Sequence, residues 1–214
     1  MPPYADLYDD RSFPTWDHIP SNFFLGRNTQ HRPQDKHWCF LAEIQQCDGF
    51  LRYRTVVKDD NDEEMVVAFY PDSYEGFDWN KLKRGHTLAI MYAYQHSFVD
   101  GSYGVRVENM DHVHVIPLPL EELQYLGAEM NEYSAGVEEG QWKCHGCGEI
   151  KPSSQISRCG RCKLVGYCGE ECQAKGWSER GHKKHCKVIQ DSNFMALMKL
   201  DFSRYERAFA FTRD

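Results

Sequence analysis

Seven of the nine cysteines lie between Cys144 and Cys186, and they come in pairs. The spacing reads Cys144-x2-Cys147, Cys159-x2-Cys162, Cys168-x3-Cys172 and His182-x3-Cys186. Eight donors in four pairs is the ligand count of two tetrahedral metal centres. A Cys-x2-Cys turn aims two thiolates at one ion, and a pair at i, i+4 shares one face of a helix. Zinc takes four nitrogen or sulfur donors, and a site with all four filled by protein is structural. The spacings match no iron–sulfur pattern. The sequence therefore predicts two structural zinc ions that supply the folding energy of this segment. Spacing leaves open whether the pairs combine sequentially or interleave. His185 adjoins Cys186 and points elsewhere on a helix, so His182 is the better ligand. His145 sits inside a knuckle turn and is expected to be exposed.

Clustered cysteines indicate disulfides in an oxidising compartment and metal ligands elsewhere. The residues Met1-Pro2-Pro3-Tyr4-Ala5-Asp6 show no basic region followed by an apolar stretch. The expectation is a nuclear or cytoplasmic protein, and no membrane partner, since no apolar run approaches the ~18 residues that span a bilayer.

Charge divides the chain in two. Residues 1–130 carry 11 Lys and Arg against 21 Asp and Glu, and residues 141–190 carry 10 against 4. Two modules are expected. Residues 1–34 interleave Pro2, Pro3, Pro14, Pro20 and Pro33 with Phe13, Trp16, Phe23 and Phe24, which reads as an extended arm packing its rings on the next domain. Residues 35–133 read as that domain. Trp38, Phe40, Ala42 and Ile44 share one strand face, as do Leu51, Tyr53, Thr55 and Val57. Asp59–Glu64 forms an acidic hairpin tip without the glycine of a calcium loop. Strands follow at Met65–Tyr70, Thr87–Tyr94, Val105–Glu108 and His112–Ile116, with helical turns at Trp79–Gly85. Short strands at this spacing predict a small antiparallel β-barrel, and the helical turns between the third and fourth strands place it in the order of an OB-fold. Leu123, Leu126 and Met130 predict a closing helix over Glu121–Glu132. Residues 134–141 have linker composition, 142–190 hold the cysteine pairs, and 191–214 read as a short amphipathic helical tail. The fold class expected is mixed α+β.

The segment from Cys144 to Cys186 resembles a MYND zinc finger. Beyond the ligands it has Tyr167 before Cys168, Gln173 after Cys172, Trp177, and His182-Lys183-Lys184-His185-Cys186 at its end. The resemblance implies interleaved sites, with Cys144, Cys147, Cys168 and Cys172 on one zinc and Cys159, Cys162, His182 and Cys186 on the other. It also implies a protein–protein adaptor that receives a partner with an exposed proline-containing motif. The groove residues carried over are Leu164, Tyr167, Gln173 and Trp177. Ala174 stands where the family often has a small polar residue, which removes one hydrogen bond. An extended proline-containing peptide has little order left to lose on binding. Transcriptional co-regulation and ubiquitin-ligase assembly are the contexts that the family suggests.

Other classes fit less well. The SET–MYND methyltransferases need an Asn-His-Ser-Cys motif, which this chain lacks, and neither a phosphate loop nor a Gly-x-Ser-x-Gly elbow occurs. No catalysis is expected. Cys39 and Cys47 read as buried thiols, and His112 and His114 as solvent-facing. An OB-like barrel raises single-stranded nucleic-acid binding through Tyr53, Tyr92, Tyr94, Arg52, Arg54 and Arg106. The acidic first half repels a phosphate backbone, which makes nucleic acid the lesser reading. Residues 141–190 fall to a net charge of about +3 once seven thiolates and two zinc ions are counted. Lys183, Lys184 and Lys187 then read as a solvated helix face. Metal analysis is expected to give two zinc ions per chain, and chelation is expected to unfold 144–186 while sparing the near-UV signal of the first domain.

Overall fold

A computed structural model describes residues 4–21, 36–48 and 53–213. By contacts these divide into two units, one of residues 7–124 with 201–214 and the other of residues 1–6 with 125–200. Pro2, Pro3, Phe23, Phe24, Pro33, Leu51 and Arg52 lie outside the described residues. No helix among those described is long and apolar enough to cross a membrane.

The first unit is built on a seven-stranded sheet. Its strands are β1 Cys39–Asp48, β2 Arg54–Lys58, β3 Glu64–Phe69, β4 Thr87–Met91, β5 Gln95–Ser97, β6 Tyr103–Val107 and β7 Val113–Ile116. They lie in the order β5-β6-β3-β2-β1-β4-β7. The expected period-2 pattern sets the inner face. Phe40, Ala42 and Ile44 of β1 meet Val57, Val67, Phe69, Leu88 and Ile90, all at most 3 % exposed.

The expected closed antiparallel barrel is corrected in two respects. The sheet is mixed, because β3 and β6 pair in parallel, Val66 to Phe69 against Gly104 to Val107. The hydrogen-bonded ladder is also open, with β5 and β7 as its edges. A parallel pair cannot be joined by a hairpin and needs a long crossover. Here residues 70–102 make it, through a 3₁₀ turn at Trp79–Lys81 and strands β4 and β5. The expected strand over Thr87–Tyr94 stops at Met91 because Tyr92 adopts φ +57°, a left-handed conformation that breaks the ladder. The Tyr92 hydroxyl there meets His37 Nδ1 at 2.5 Å and accepts the Phe209 N–H at 2.7 Å.

Strand β1 is buried on its other face as well, with Cys39 at 0 % and Leu41 at 6 % exposed. Burial pushes the Cys39 thiol far above its ordinary range. In the arm, Phe13 packs 4.7 Å from Phe202 of the C-terminal segment, and Ser12 accepts the Cys39 N–H. The hairpin tip is not wholly solvated. Asp59 is 3 % exposed, and its carboxylate accepts N–H groups of Asn61 and Glu63 while holding the Trp16 N–H at 2.7 Å. His112 and His114 do not face solvent: His114 is 7 % exposed against Phe211, and the half-buried His112 lies edge-on to Tyr92. Phe211 donates to Asp111 O, and Arg213 pairs with the Asp111 carboxylate at 2.5 Å.

The second unit contains most of helix α1 (Leu120–Ser134), which runs past both ends of its predicted span. Two small hairpins follow, β8 Gln141–Lys143 with β9 Ile150–Pro152 and β10 Ser157–Arg158 with β11 Gly166–Tyr167. Then come helices α2 Glu170–Ser178, α3 His182–Ile189 and α4 Ser192–Met198. Asp191 caps α4 by accepting the Phe194 N–H, and Phe194, Leu197 and Met198 are fully buried. Residues 199–213 form no helix.

Gly104 marks where the parallel pair is tightest: a Cβ there would fall 1.8 Å from Val66 O. Gly104→Ala is expected to destabilise the sheet unit by about 3 kcal/mol, read from the midpoint of chemical denaturation.

Candidate metal centre

The four pairs combine first with third and second with fourth. The ligand atoms of Cys144, Cys147, Cys168 and Cys172 lie within 4.8 Å of one another, and so do those of Cys159, Cys162, His182 and Cys186. The local reason is the same turn used twice. In each Cys-x2-Cys turn the residue four after the first cysteine donates its N–H back to that cysteine's carbonyl, Gly148 to Cys144 at 2.8 Å and Lys163 to Cys159 at 2.9 Å. Both residues sit at positive φ, +80° for Gly148 and +58° for Lys163. The turn thus folds both thiols toward one point. The third pair differs from expectation, since Cys168 precedes α2 and only Cys172 lies on it. His182 and Cys186 do share a face of α3.

The donor geometry fits zinc. Zinc–sulfur bonds of about 2.3 Å in a tetrahedron put sulfur atoms about 3.8 Å apart. The observed separations are 3.8 Å for Cys147–Cys168, 3.5 Å for Cys168–Cys172 and 3.8 Å for Cys159–Cys186. Cys162 Sγ lies 3.3 Å from His182 Nε2. Burial raises the Cys144 thiol, but N–H groups of Cys147, Cys168 and Gly146 outweigh it and bring it down to about 6. Burial, then the neighbouring imidazoles of His145 and His185, lowers His182 to about 4, which keeps it in the neutral form that a metal requires. Each set supplies four protein donors and leaves no open position, so the two zinc ions are structural.

The second set has a support that spacing did not reveal. Nε2 of His182 faces the cysteines, and Nδ1 hydrogen-bonds the Tyr167 hydroxyl. That bond fixes the ring's orientation and tautomer. Tyr167 is only 4 % exposed, so it stands behind a ligand rather than on a surface. It is held there by Gly176, where a Cβ would come within 2.4 Å of the Tyr167 ring. Gln173 is exposed on α2, Trp177 is half-buried one turn later with its ring edge-on to His182 at 5.3 Å, and the half-buried Leu164 lines a partly open cavity.

His145 is not exposed as expected. Its N–H donates to Gly166 O, its ring packs 4.8 Å from Tyr133, and it is 4 % exposed. Its Nε2 lies 3.4 Å from the Glu129 carboxylate, which His185 Nδ1 approaches at 3.9 Å. Glu129 was the missed residue. It falls between Leu126 and Met130 on the buried stripe of α1, and a carboxylate inside an apolar stripe was the available signal. Lys183, Lys184 and Lys187 are exposed on α3.

Residues 144–186 match the family model of the MYND finger. That segment is a MYND finger. The finger is 39 % identical over 41 residues to a SET and MYND domain-containing protein of Dictyostelium discoideum, a match covering 19 % of this chain and 7 % of that protein. The chain therefore spans less than a tenth of that relative. Among solved structures, similarity extends to Schizosaccharomyces pombe Pot1pC bound to single-stranded DNA, at 7 % identity and TM-score 0.29 over 40 % of this chain and 80 % of that one. It extends also to a Replication Protein A heterotrimer bound to single-stranded DNA, at 13 % identity and TM-score 0.27 over 44 % and 72 %.

Tyr167→Phe removes the bond to His182 without changing any ligand. Competition with a chromogenic chelator is expected to show one of the two zinc ions held about 10-fold more weakly, and the other unchanged.

Proposed function

We propose that this protein is a non-enzymatic adaptor of the nucleus or cytoplasm whose MYND finger captures a proline-containing segment of a partner. The MYND finger is a protein-interaction module, and its zinc sites here are closed to substrate. The observation that carries the reading is on α2. Gln173 and Trp177 stand four residues apart, and so on one helix face, with the amide exposed and the indole half-exposed. Proline lacks an N–H, so a proline-containing peptide presents carbonyl groups and a stiff apolar edge. An amide donor beside an indole matches both features. Tyr167 contributes by holding His182, and with it the ring on which Trp177 rests.

The second reading is single-stranded nucleic-acid binding by an OB-like rolled sheet. The strand path supports the roll. Strand β4 pairs with β1 and β5 pairs with β6, while only Tyr92, Ala93 and Tyr94 separate β4 from β5. The candidate contacts weigh against binding. Arg54 is paired with Asp100 and Arg106 with Glu108, while Tyr53 stacks on Trp79 at 4.0 Å and Tyr94 packs against Trp38.

Capture on proline-containing peptide arrays distinguishes the two. Gln173→Ala and Trp177→Ala are each expected to weaken capture at least tenfold with zinc content still two per chain, Gln173→Ala being decisive because it touches no ligand. Unchanged capture in Gln173→Ala, or salt-sensitive binding of single-stranded DNA in fluorescence anisotropy, would favour the second reading.

A further inference from the structure

The second unit contains a partly open cavity of about 390 Å³ lined by α1, the segment 137–143 and the finger. Its apolar walls include Leu126, Met130, Val165 and Ile189, with the rings of Tyr133 and Trp142. That volume equals roughly a dozen waters, and apolar walls hold water poorly. It falls within the range of about 300–1,000 Å³ typical of sites for small organic ligands. The polar part of the lining is one carboxylate, Glu129, with Lys143 and the imidazoles of His145, His182 and His185. Glu129 lines the cavity, is 7 % exposed, and its Oε1 is shielded from solvent yet accepts no hydrogen bond. The one group paired with that oxygen, His145 Nε2, is at 3.4 Å, too long for a good hydrogen bond. Among the described residues no lysine or arginine pairs with Glu129. The nearby Lys143 bonds to Glu132 instead and lies 5.3 Å from the centre of the Tyr133 ring.

A buried carboxylate oxygen without a hydrogen bond is costly, and a donor brought by a ligand relieves that cost. The rest of the cavity rewards hydrocarbon. We propose that this cavity is a binding site for a small amphipathic amine, its ammonium group on Glu129 and its apolar body against Leu126, Met130, Val165 and Ile189. An acid would meet the carboxylate with like charge. A neutral hydrocarbon would fill the space and leave Glu129 without a donor. The site uses neither Gln173 nor Trp177, so it goes beyond the peptide reading and does not depend on it.

The test is isothermal titration of the zinc-loaded full chain with three probes of one length: n-hexylammonium, hexan-1-ol and hexanoate. One hexylammonium per chain is expected to bind at least tenfold more tightly than the alcohol, with hexanoate weaker still, and to shift the amide resonances of Tyr133 and Gln141. Glu129→Gln, checked for two zinc ions and an unchanged amide spectrum, is expected to abolish the preference for the amine. Val137→Trp is expected to close the cavity to all three probes. Equal binding of amine and alcohol, no binding of any probe, or a preference retained in Glu129→Gln would overturn the proposal. Tighter binding of Nα-acetyl-lysine amide than of hexylammonium would overturn the assignment to a free small molecule. None of these results alters peptide capture through Gln173, so the two readings fail separately.

Discussion

The crossing of four ligand pairs at two points is what the second unit depends on. Its strands are two or three residues long and its helices α2 to α4 run nine, eight and seven residues. Pieces of that length have no stability of their own in water. Closing the first pair on the third ties the β8–β9 hairpin to α2, and closing the second on the fourth ties the β10–β11 hairpin to α3. Neither closure can form without bringing distant parts of the chain together. Metal affinity and folding are therefore one equilibrium in this segment.

The rest of the finger is arranged around those closures. Gly176 leaves room for the Tyr167 ring and for His145, whose Nδ1 would lie 2.9 Å from a Cβ at that position. Tyr167 orients His182, and Trp177 covers the same imidazole from α2. One ring thus links a zinc ligand, a buried hydroxyl and a surface indole. Gln173 and Trp177 share one face of α2, while Glu129 stands on α1 at the partly open cavity. The two proposals rest on different chemistry, one on a carbonyl-rich extended chain, the other on a cation with a hydrocarbon body.

In the sheet unit the organising constraint is the parallel pairing of β3 with β6. It forces a crossover, and the crossover supplies β4 to the other side of β1. Tyr92 absorbs the change of direction at φ +57°, with its hydroxyl engaged by His37 and by the backbone of Phe209. Arm and C-terminal segment then cover what the sheet leaves open, through Phe13, Phe202 and Phe211. Ring burial of this kind outweighs the exposed ion pairs Arg54–Asp100 and Arg106–Glu108, since surface pairs are solvated and screened.

Local spacing carried a large part of this protein in plain sight. The eight ligands, their number of centres, the apolar faces of β1 and β2 and the helix around Leu123, Leu126 and Met130 were all legible, because each rests on a turn or a period within a few residues. The interleaving of the pairs came from the family resemblance and not from spacing, while the parallel strand, the break at Tyr92 and the inward turn of Tyr167, His145 and His114 were legible from neither. These depend on which distant surfaces meet, and a residue's own neighbours in the chain hold no record of that. Tyr167 has the same sequence context whether it lines a groove or supports a ligand; only the Gly176 backbone packed against it decides. Glu129 lies between the two cases. Its place on an apolar stripe was visible from the sequence, but that no lysine or arginine among the described residues pairs with it is decided only by the tertiary structure.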